Sequence, residues 1–281
     1  MTRWQCVRSG HAKDAPSRTL TRWDTMITMC GVGALVTGGT SGLGAATATA
    51  LVRAGASAVV VGRPSGRGSS AASALGAGVR FAAADVADEE AMRAAVSLAA
   101  DAPRGIRVAI GAAGVAVAKK TFGRDGVHPL PPFRQMLETN LVGSFNLLRL
   151  AAEAMATNEP EEHGERGVVI VTSSIGAVEG QMGQVAYAAA KSGVLGMVLP
   201  AARDLAHKGI RVMAIMPGVF DTPFIHQLSE QAQAAVAGAV PFPPRLGHAE
   251  EYASLVLEII RNPMLNGSAV RLDGALRLGP R

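Results

Sequence analysis

Aromatic side chains make up only 4% of this sequence, too few for a surface that stacks on nucleic-acid bases. Cysteine is nearly absent. Cys6 and Cys30 make neither a disulfide framework nor a zinc site, and the simplest setting for such a chain is reducing and cytoplasmic. Charged residues are scarce at 17%, against 48% hydrophobic ones and a mean hydropathy of +0.24. Disorder requires the opposite balance, so a disordered chain is excluded. No uninterrupted apolar run reaches about 18 residues, so no membrane partner is expected. The histidines show no metal-ligand spacing, and no metal is expected.

What the chain does have is length, 281 residues, enough for a sizeable core in one α/β domain. It also carries a formal charge of +5 and a pI near 9.7, which alone would suggest nucleic acid. Position argues otherwise. Within residues 1–30, Arg3, Arg8, Lys13, Arg18 and Arg22 stand against Asp14 and Asp24, so that stretch carries +3 and the other 251 residues only +2. No nucleic-acid partner is expected. Residues 1–28 have no secondary-structure period and no apolar signal core, and read as a flexible leader. Translation from Met26 or Met29 is an alternative. The leader's Arg, Thr and Ser content is only faintly like an organelle transit peptide, and Asp14 and Asp24 weaken that likeness. Residues 29–281 read as one domain.

Within that domain, short apolar runs alternate with helical stretches. Strands are expected at Gly33–Val36, Ala58–Val61, Val79–Ala83, Val108–Ile110, Val168–Thr172, Val212–Ile215 and Ala269–Leu272. Helices are expected at Gly42–Arg53, Ala91–Ala100, Phe133–Ala156, Val185–Ala206 with a kink at Pro200, and Ala249–Ile260. Runs such as Val168-Val169-Ile170-Val171 lack polar alternation, as strands buried on both faces do. The predicted fold is a doubly wound parallel sheet of about seven strands with helices on both faces.

Thr37-Gly38-Gly39-Thr40-Ser41-Gly42-Leu43-Gly44 follows the first strand and opens a helix. Gly38, Gly42 and Gly44 allow close backbone approach, and the helix N-terminus offers N–H groups and partial positive charge to a pyrophosphate. This context makes a Rossmann-type dinucleotide site the leading reading, and a merely tight turn the lesser one. The second strand ends at Gly62-Arg63, where a carboxylate would hold an adenosine ribose and repel a 2′-phosphate. With no carboxylate there, and Arg63 able to grip phosphate, NADP(H) is favoured over NAD(H). Arg63 as a solvated loop residue is the alternative. Asp85-Val86, after the third strand, is placed to meet the adenine edge.

Tyr187 and Lys191 are four residues apart and share a helix face. Ser174 leaves the fifth strand on the rim where parallel strands end and ligands bind. Tyr187 can exchange a proton with a substrate oxygen, Lys191 can favour its phenolate, and Ser174 can stabilise charge on that oxygen. Asn140, in the long helix, can anchor a proton-relaying water. Ser173, one residue away, competes with Ser174.

Together these residues resemble the short-chain dehydrogenase/reductase family, from about Cys30 to the C-terminus. Thr37–Gly44 is similar to its glycine motif. Ser174, Tyr187, Lys191 and Asn140 match its catalytic positions, and Pro217-Gly218 matches its motif after the sixth strand. Strings such as Glu179–Tyr187, Arg245-Leu246-Gly247 and Arg271–Ala275 resemble a branch that oxidises 3-hydroxyacyl-CoA thioesters, with side activity on steroids and alcohols. The resemblance implies a hydride transfer between NAD(P)(H) and a secondary alcohol or ketone, a small-molecule substrate and a homotetramer. A reductase of steroid-like ketones and a cofactor-binding scaffold are the alternatives. It further implies Ser41, Leu43, Asp85, Val86, Ala112, Gly114 and Phe220 as cofactor contacts. Two departures stand out. The branch has an acidic residue at the Gly62 position and uses NAD. The family commonly has Asn where Gly111 stands, and its loss is expected to remove a tie between neighbouring strands.

Phe220–Leu246 is expected to cap the site, with Phe224, Ile225, Leu228 and Val236 as an apolar pocket or as lid packing. Lys119, Lys120 and Arg124 could meet coenzyme A phosphates or form a solvated face. Of the histidines, His226 is the one expected near substrate, and His207 is expected at a helix end.

Overall fold

The computed structural model describes residues 29–64, 68–124, 126–223, 225–227 and 229–280. The leader, Phe224 and Leu228 lie outside the described residues. Seven parallel strands form one sheet in the order β3-β2-β1-β4-β5-β6-β7. They are β1 (Gly33–Thr37), β2 (Ser57–Gly62), β3 (Val79–Ala83), β4 (Ile106–Gly111), β5 (Gly167–Thr172), β6 (Ile210–Pro217) and β7 (Ala269–Leu272). The helices are α1 (Gly42–Arg53), α2 (Gly68–Ala74), α3 (Glu89–Ala100), α4 (Leu130–Leu137), α5 (Gly143–Met155), α6 (Val185–Leu205), α7 (Glu230–Gly238) and α8 (Ala249–Arg261).

Strand alternation sends successive side chains to opposite faces. Leu35, Val59, Val61 and Val169 enter a core with Met92 of α3, Leu147 of α5 and Val194 of α6. Val36, Val60, Val168 and Ile170 enter a second core with Leu51 of α1 and Tyr252, Val256 and Ile259 of α8. Both faces are thereby dry, which is why the strands read as continuous apolar runs.

Several strands outlast their apolar runs. β4 begins at Ile106 and includes Arg107; β6 begins at Ile210 and includes the buried Arg211. The backbone ladder continues there because each arginine finds fixed acceptors. The long helix expected over Phe133–Ala156 is broken. Between α4 and α5 lies a π turn at Glu138–Val142, closed by a hydrogen bond from the Gly143 N–H to the Glu138 carbonyl. One extra residue is inserted there, as at many functional sites. Helix α6 runs through Pro200, as one helix was expected to, and the proline sits on the solvent face. Among the described residues, α6 with its extension to Lys208 is the one helix long and apolar enough to cross a membrane by length and composition. Its face of Ala186, Ala190, Lys191, Val194, Val198 and Ala202 is buried within the domain.

Candidate active site

Parallel strands deliver their following loops to one rim, and the predicted residues collect there. After β1, Gly38 has φ +66, and a Cβ on it would lie 2.7 Å from the Ala112 carbonyl oxygen. A Cβ on Gly44 would collide with the Gly38 carbonyl. Only glycine lets the first turn of α1 fold against this loop. Ser41 caps α1 without a side-chain hydrogen bond, and the first turn holds no acidic residue. These residues therefore fit a dinucleotide pyrophosphate: a backbone cradle, cleared of side chains, at the positive end of a helix. Ala112 and Gly114 close its other side from the end of β4.

Gly62 lies under Thr40, whose Cγ2 would be 3.0 Å from any added Cβ. Arg63 is exposed and has no ionic or hydrogen-bond partner among the described residues. Asp85 is exposed, with a carboxylate oxygen accepting from the Ala87 N–H at 3.0 Å. Val86 is buried against Gly143, and its carbonyl accepts from Asn146 Nδ2 at 2.9 Å. Pro217 pairs with Leu272, and the Gly218 N–H donates to the Leu272 carbonyl at 2.9 Å. The Phe220 ring is buried against Gly247, so that residue turns backbone rather than side chain to the rim. Near Gly111 the Thr37 hydroxyl ties β1 to the end of β4, donating to the Ile110 carbonyl and accepting from the Ala113 N–H, both at 3.4 Å.

The structure separates the two serines. Ser173 is 2% exposed, and its hydroxyl donates to the Lys191 carbonyl at 2.8 Å. Ser174 is half-buried on this rim. Its Oγ accepts from the Gly176 N–H at 3.1 Å, and its hydroxyl stands near enough to Tyr187 to act on the phenol. Lys191 Nζ is buried, donates to the Thr172 carbonyl at 2.8 Å and lies 5.9 Å from the centre of the Tyr187 ring. Burial lowers its pKa to about 8. Burial also pushes the Tyr187 phenol above its ordinary range, and the Ser174 hydrogen bond opposes that rise. Desolvation prevails at both groups, with Lys191 buried in α6 and Tyr187 half-buried beside it.

Asn140 is fully buried in the π turn. Its Oδ1 accepts from the Val115 N–H at 2.9 Å and its Nδ2 donates to the Val115 carbonyl at 2.8 Å. Its side chain thereby clips the loop after β4 to the helix. Gly114 beside it leaves room for both Asn140 and Lys191: an added Cβ would stand 2.9 Å from Oδ1 and 3.6 Å from Nζ.

This geometry, a backbone cradle beside a serine–tyrosine–lysine cluster, agrees with sequence comparison. The family model for short chain dehydrogenases matches residues 33–233. The chain belongs to the short-chain dehydrogenase family. It is an oxidoreductase of that family, and three relatives are similar over nearly their whole length. The 3-hydroxyacyl-CoA dehydrogenase type-2 of Homo sapiens is 50% identical over 89% of this chain and 97% of its own. That of Bos taurus is 49% identical over the same shares. The crystal structure of the Mycobacterium avium enzyme of that name superposes with a TM-score of 0.85, at 40% identity, over 89% of this chain and 98% of its own.

Further residues of this short-chain dehydrogenase site carry no local sequence signal. Thr222 lies over Gly42, 3.2 Å from an added Cβ, and Thr172 supplies the carbonyl for Lys191. The loop after β4 and the loop before α6 enclose a cleft of about 410 Å³, with Lys120, Phe122, Met182 and Gln184 among its walls. Lys120 stands at it; Lys119 is tied to the Gly183 carbonyl through its N–H at 2.7 Å, and Arg124 is exposed further along that loop. Of the cap residues, Ile225 is buried and Val236 half-buried. His226 is exposed and paired with Asp221 at 2.6 Å, and His207 is exposed in the short extension of α6.

Proposed function

We propose that this chain interconverts a 3-hydroxyacyl-CoA and the corresponding 3-oxoacyl-CoA, with NADP(H) preferred over NAD(H). The observation that carries the reaction is the convergence of Ser174, Tyr187 and the buried Lys191 on the rim that holds the glycine cradle: Lys191 Nζ lies 5.9 Å from the Tyr187 ring, and the turn capped by Ser174 packs against that ring. The nicotinamide, when bound, supplies or takes the hydride at the carbinol carbon. Tyr187 gives its proton to the substrate oxygen during reduction and recovers it during oxidation. Ser174 donates a hydrogen bond to the same oxygen as its charge develops. Lys191 supplies positive charge beneath the ring. Asn140, through Val115, holds the loop after β4 against the helix.

The acyl-CoA reading is supported by the names of the full-length relatives and by the cleft beside Lys120, where a basic side chain meets an apolar wall. The NADP(H) reading is supported by the exposed Arg63 next to Gly62, an arginine that has no partner among the described residues. A carboxylate at that position would crowd Thr40 and repel a 2′-phosphate. Steady-state assays of acetoacetyl-CoA with each reduced cofactor test both readings. Turnover is expected with NADPH at a lower KM than with NADH, and Arg63→Ala should remove the difference, a loss of about 1.5–3 kcal/mol for a charged hydrogen bond. Equal affinities in the unmodified protein would refute the cofactor preference. Turnover confined to steroid-like ketones would refute the substrate.

We further propose a cytoplasmic homotetramer. Its support is the apolar surface that α5, the π turn and α6 leave exposed, at Val142, Phe145, Val185 and Leu199. Light scattering at micromolar concentration should give a mass of four chains; a monomer mass would exclude it.

A further inference from the structure

The loop from Ser173 to Gln184 carries Ser174 at one end and leads into Tyr187 at the other. Its midpoint is gripped by the C-terminal tail. Glu179 Oε1 accepts from Arg271 Nη1 at 2.8 Å, and Oε2 accepts from the Leu278 N–H at 2.9 Å. Arg271, on β7, is itself fixed by Asp273 at 2.6 Å and by the Leu276 carbonyl at 3.0 Å. The Met182 N–H donates to the Pro280 carbonyl at 3.0 Å. Beneath these bonds Ile175 packs with Val240 and Leu276. The Glu179 and Asp273 side chains are 20% and 8% exposed, so salt screens these pairs less than surface ones.

The same carboxylate residue reaches the reacting groups through the backbone. The Glu179 N–H donates to the Ile175 carbonyl at 3.0 Å. Ile175 opens the short turn whose Gly176 N–H is capped by Ser174 at 3.1 Å. Gly176 lies against the tyrosine: a Cβ there would be 3.4 Å from Tyr187 Cε1.

We propose that Glu179 is a positioning residue, held by Arg271 and the tail amide of Leu278, that keeps the Ser174 hydroxyl on the Tyr187 phenol. This rests on the assignment of Ser174 and Tyr187 to proton transfer above. Hydrogen-bond energy falls steeply with misalignment, so a loop displaced by an ångström carries the Ser174 hydroxyl away from the phenol. Arg271, and then the Leu278 amide, hold the Glu179 carboxyl below the usual carboxylate range. A carboxylate so lowered keeps its contribution above its ordinary pKa and loses it only as pH falls through the lowered value. The clasp is therefore shut throughout neutral pH.

The test compares Glu179→Gln, Arg271→Ala and Arg271→Lys, with Arg93→Ala, which removes two exposed ion pairs to Glu89 and Glu153, as control. Melting curves establish which variants are folded. Turnover is one readout. Absorbance titration of tyrosine ionisation is the other, because the chain has only two tyrosines and burial pushes Tyr252 up to about 12. The Tyr187 step is the one missing from Tyr187→Phe. Glu179→Gln and Arg271→Ala are expected to lower kcat by about 10- to 100-fold with cofactor KM unchanged. They should also move the Tyr187 step upward, as Ser174→Ala should, and Arg271→Lys should restore part of both. Folded Glu179→Gln with unmodified kcat and an unmoved Tyr187 step would overturn the proposal. The titration needs no turnover. An unmodified chain inactive on every carbonyl would overturn the assigned reaction, and the titration would still decide the clasp.

Discussion

Tyr187→Phe is expected to lower turnover by about 10²- to 10⁴-fold, the range a general acid supplies, while cofactor affinity stays within a factor of two or so. The ring is retained, so packing against α4 is retained, and only the proton donor is lost. The pH dependence should carry the same signature. Reduction needs a protonated phenol, and burial raises Tyr187, so the phenol is intact through neutral pH. Lys191, lowered to about 8, gives up its charge above that pH. Reductive turnover should therefore be flat through neutrality and fall in alkali, while oxidative turnover rises as the phenol ionises. Initial rates in both directions, measured for the unmodified protein and the variant, check this. A phenylalanine variant with ordinary turnover would remove Tyr187 from the chemistry.

Arg211→Ala is expected to destabilise the fold by about 3–5 kcal/mol, the cost of stripping one partner from a buried ionic cluster. Arg211 is 6% exposed. It donates to Glu165 at 2.8 Å and to the carbonyls of Ile259, Ile260, Asn262 and Leu265 at 2.8–3.2 Å. The Ile259 and Ile260 carbonyls are acceptors that the C-terminus of α8 leaves without helical partners, and the guanidinium's charge suits the negative end of that helix. Alanine would leave the carbonyls dry and Glu165 without its ion-pair partner. Urea unfolding should show a lower midpoint at an unchanged slope. A loss below about 1 kcal/mol, the size of an ordinary surface change, would mean that water replaces the arginine at no cost.

What could be read from the sequence was local. The glycine loop lies within eight residues, and the tyrosine and lysine share one helix face, so spacing alone brought out both. Buried strands stood out because both faces of the sheet are covered. Arg107 and Arg211 shortened the apparent strands, since a charge ends an apolar run whether or not it is satisfied inside the fold. Val115, Thr172 and Thr222 reach the site from distant segments and bear no motif. The π turn escaped notice because an inserted residue changes the register of a helix without changing its composition. Spacing leaves the choice between Ser173 and Ser174 open and the family pattern makes it; in the structure the Ser173 hydroxyl is spent on the Lys191 backbone.

That inserted residue also divides labour along the chain. Each α-helical residue advances by about 100°, so one extra residue rotates everything downstream relative to everything upstream. Met136 of α4 packs with Ala186 and Ala190 beside Tyr187, whereas Leu147, Ala151 and Met155 of α5 pack into the core under the sheet. The two halves answer to different neighbours and are set at different angles. Side chains of α4 can be exchanged to reshape the surroundings of Tyr187 without disturbing the angle at which α5 meets the sheet. A protein engineer could use the π turn as the boundary between a segment open to variation and one that should be left alone.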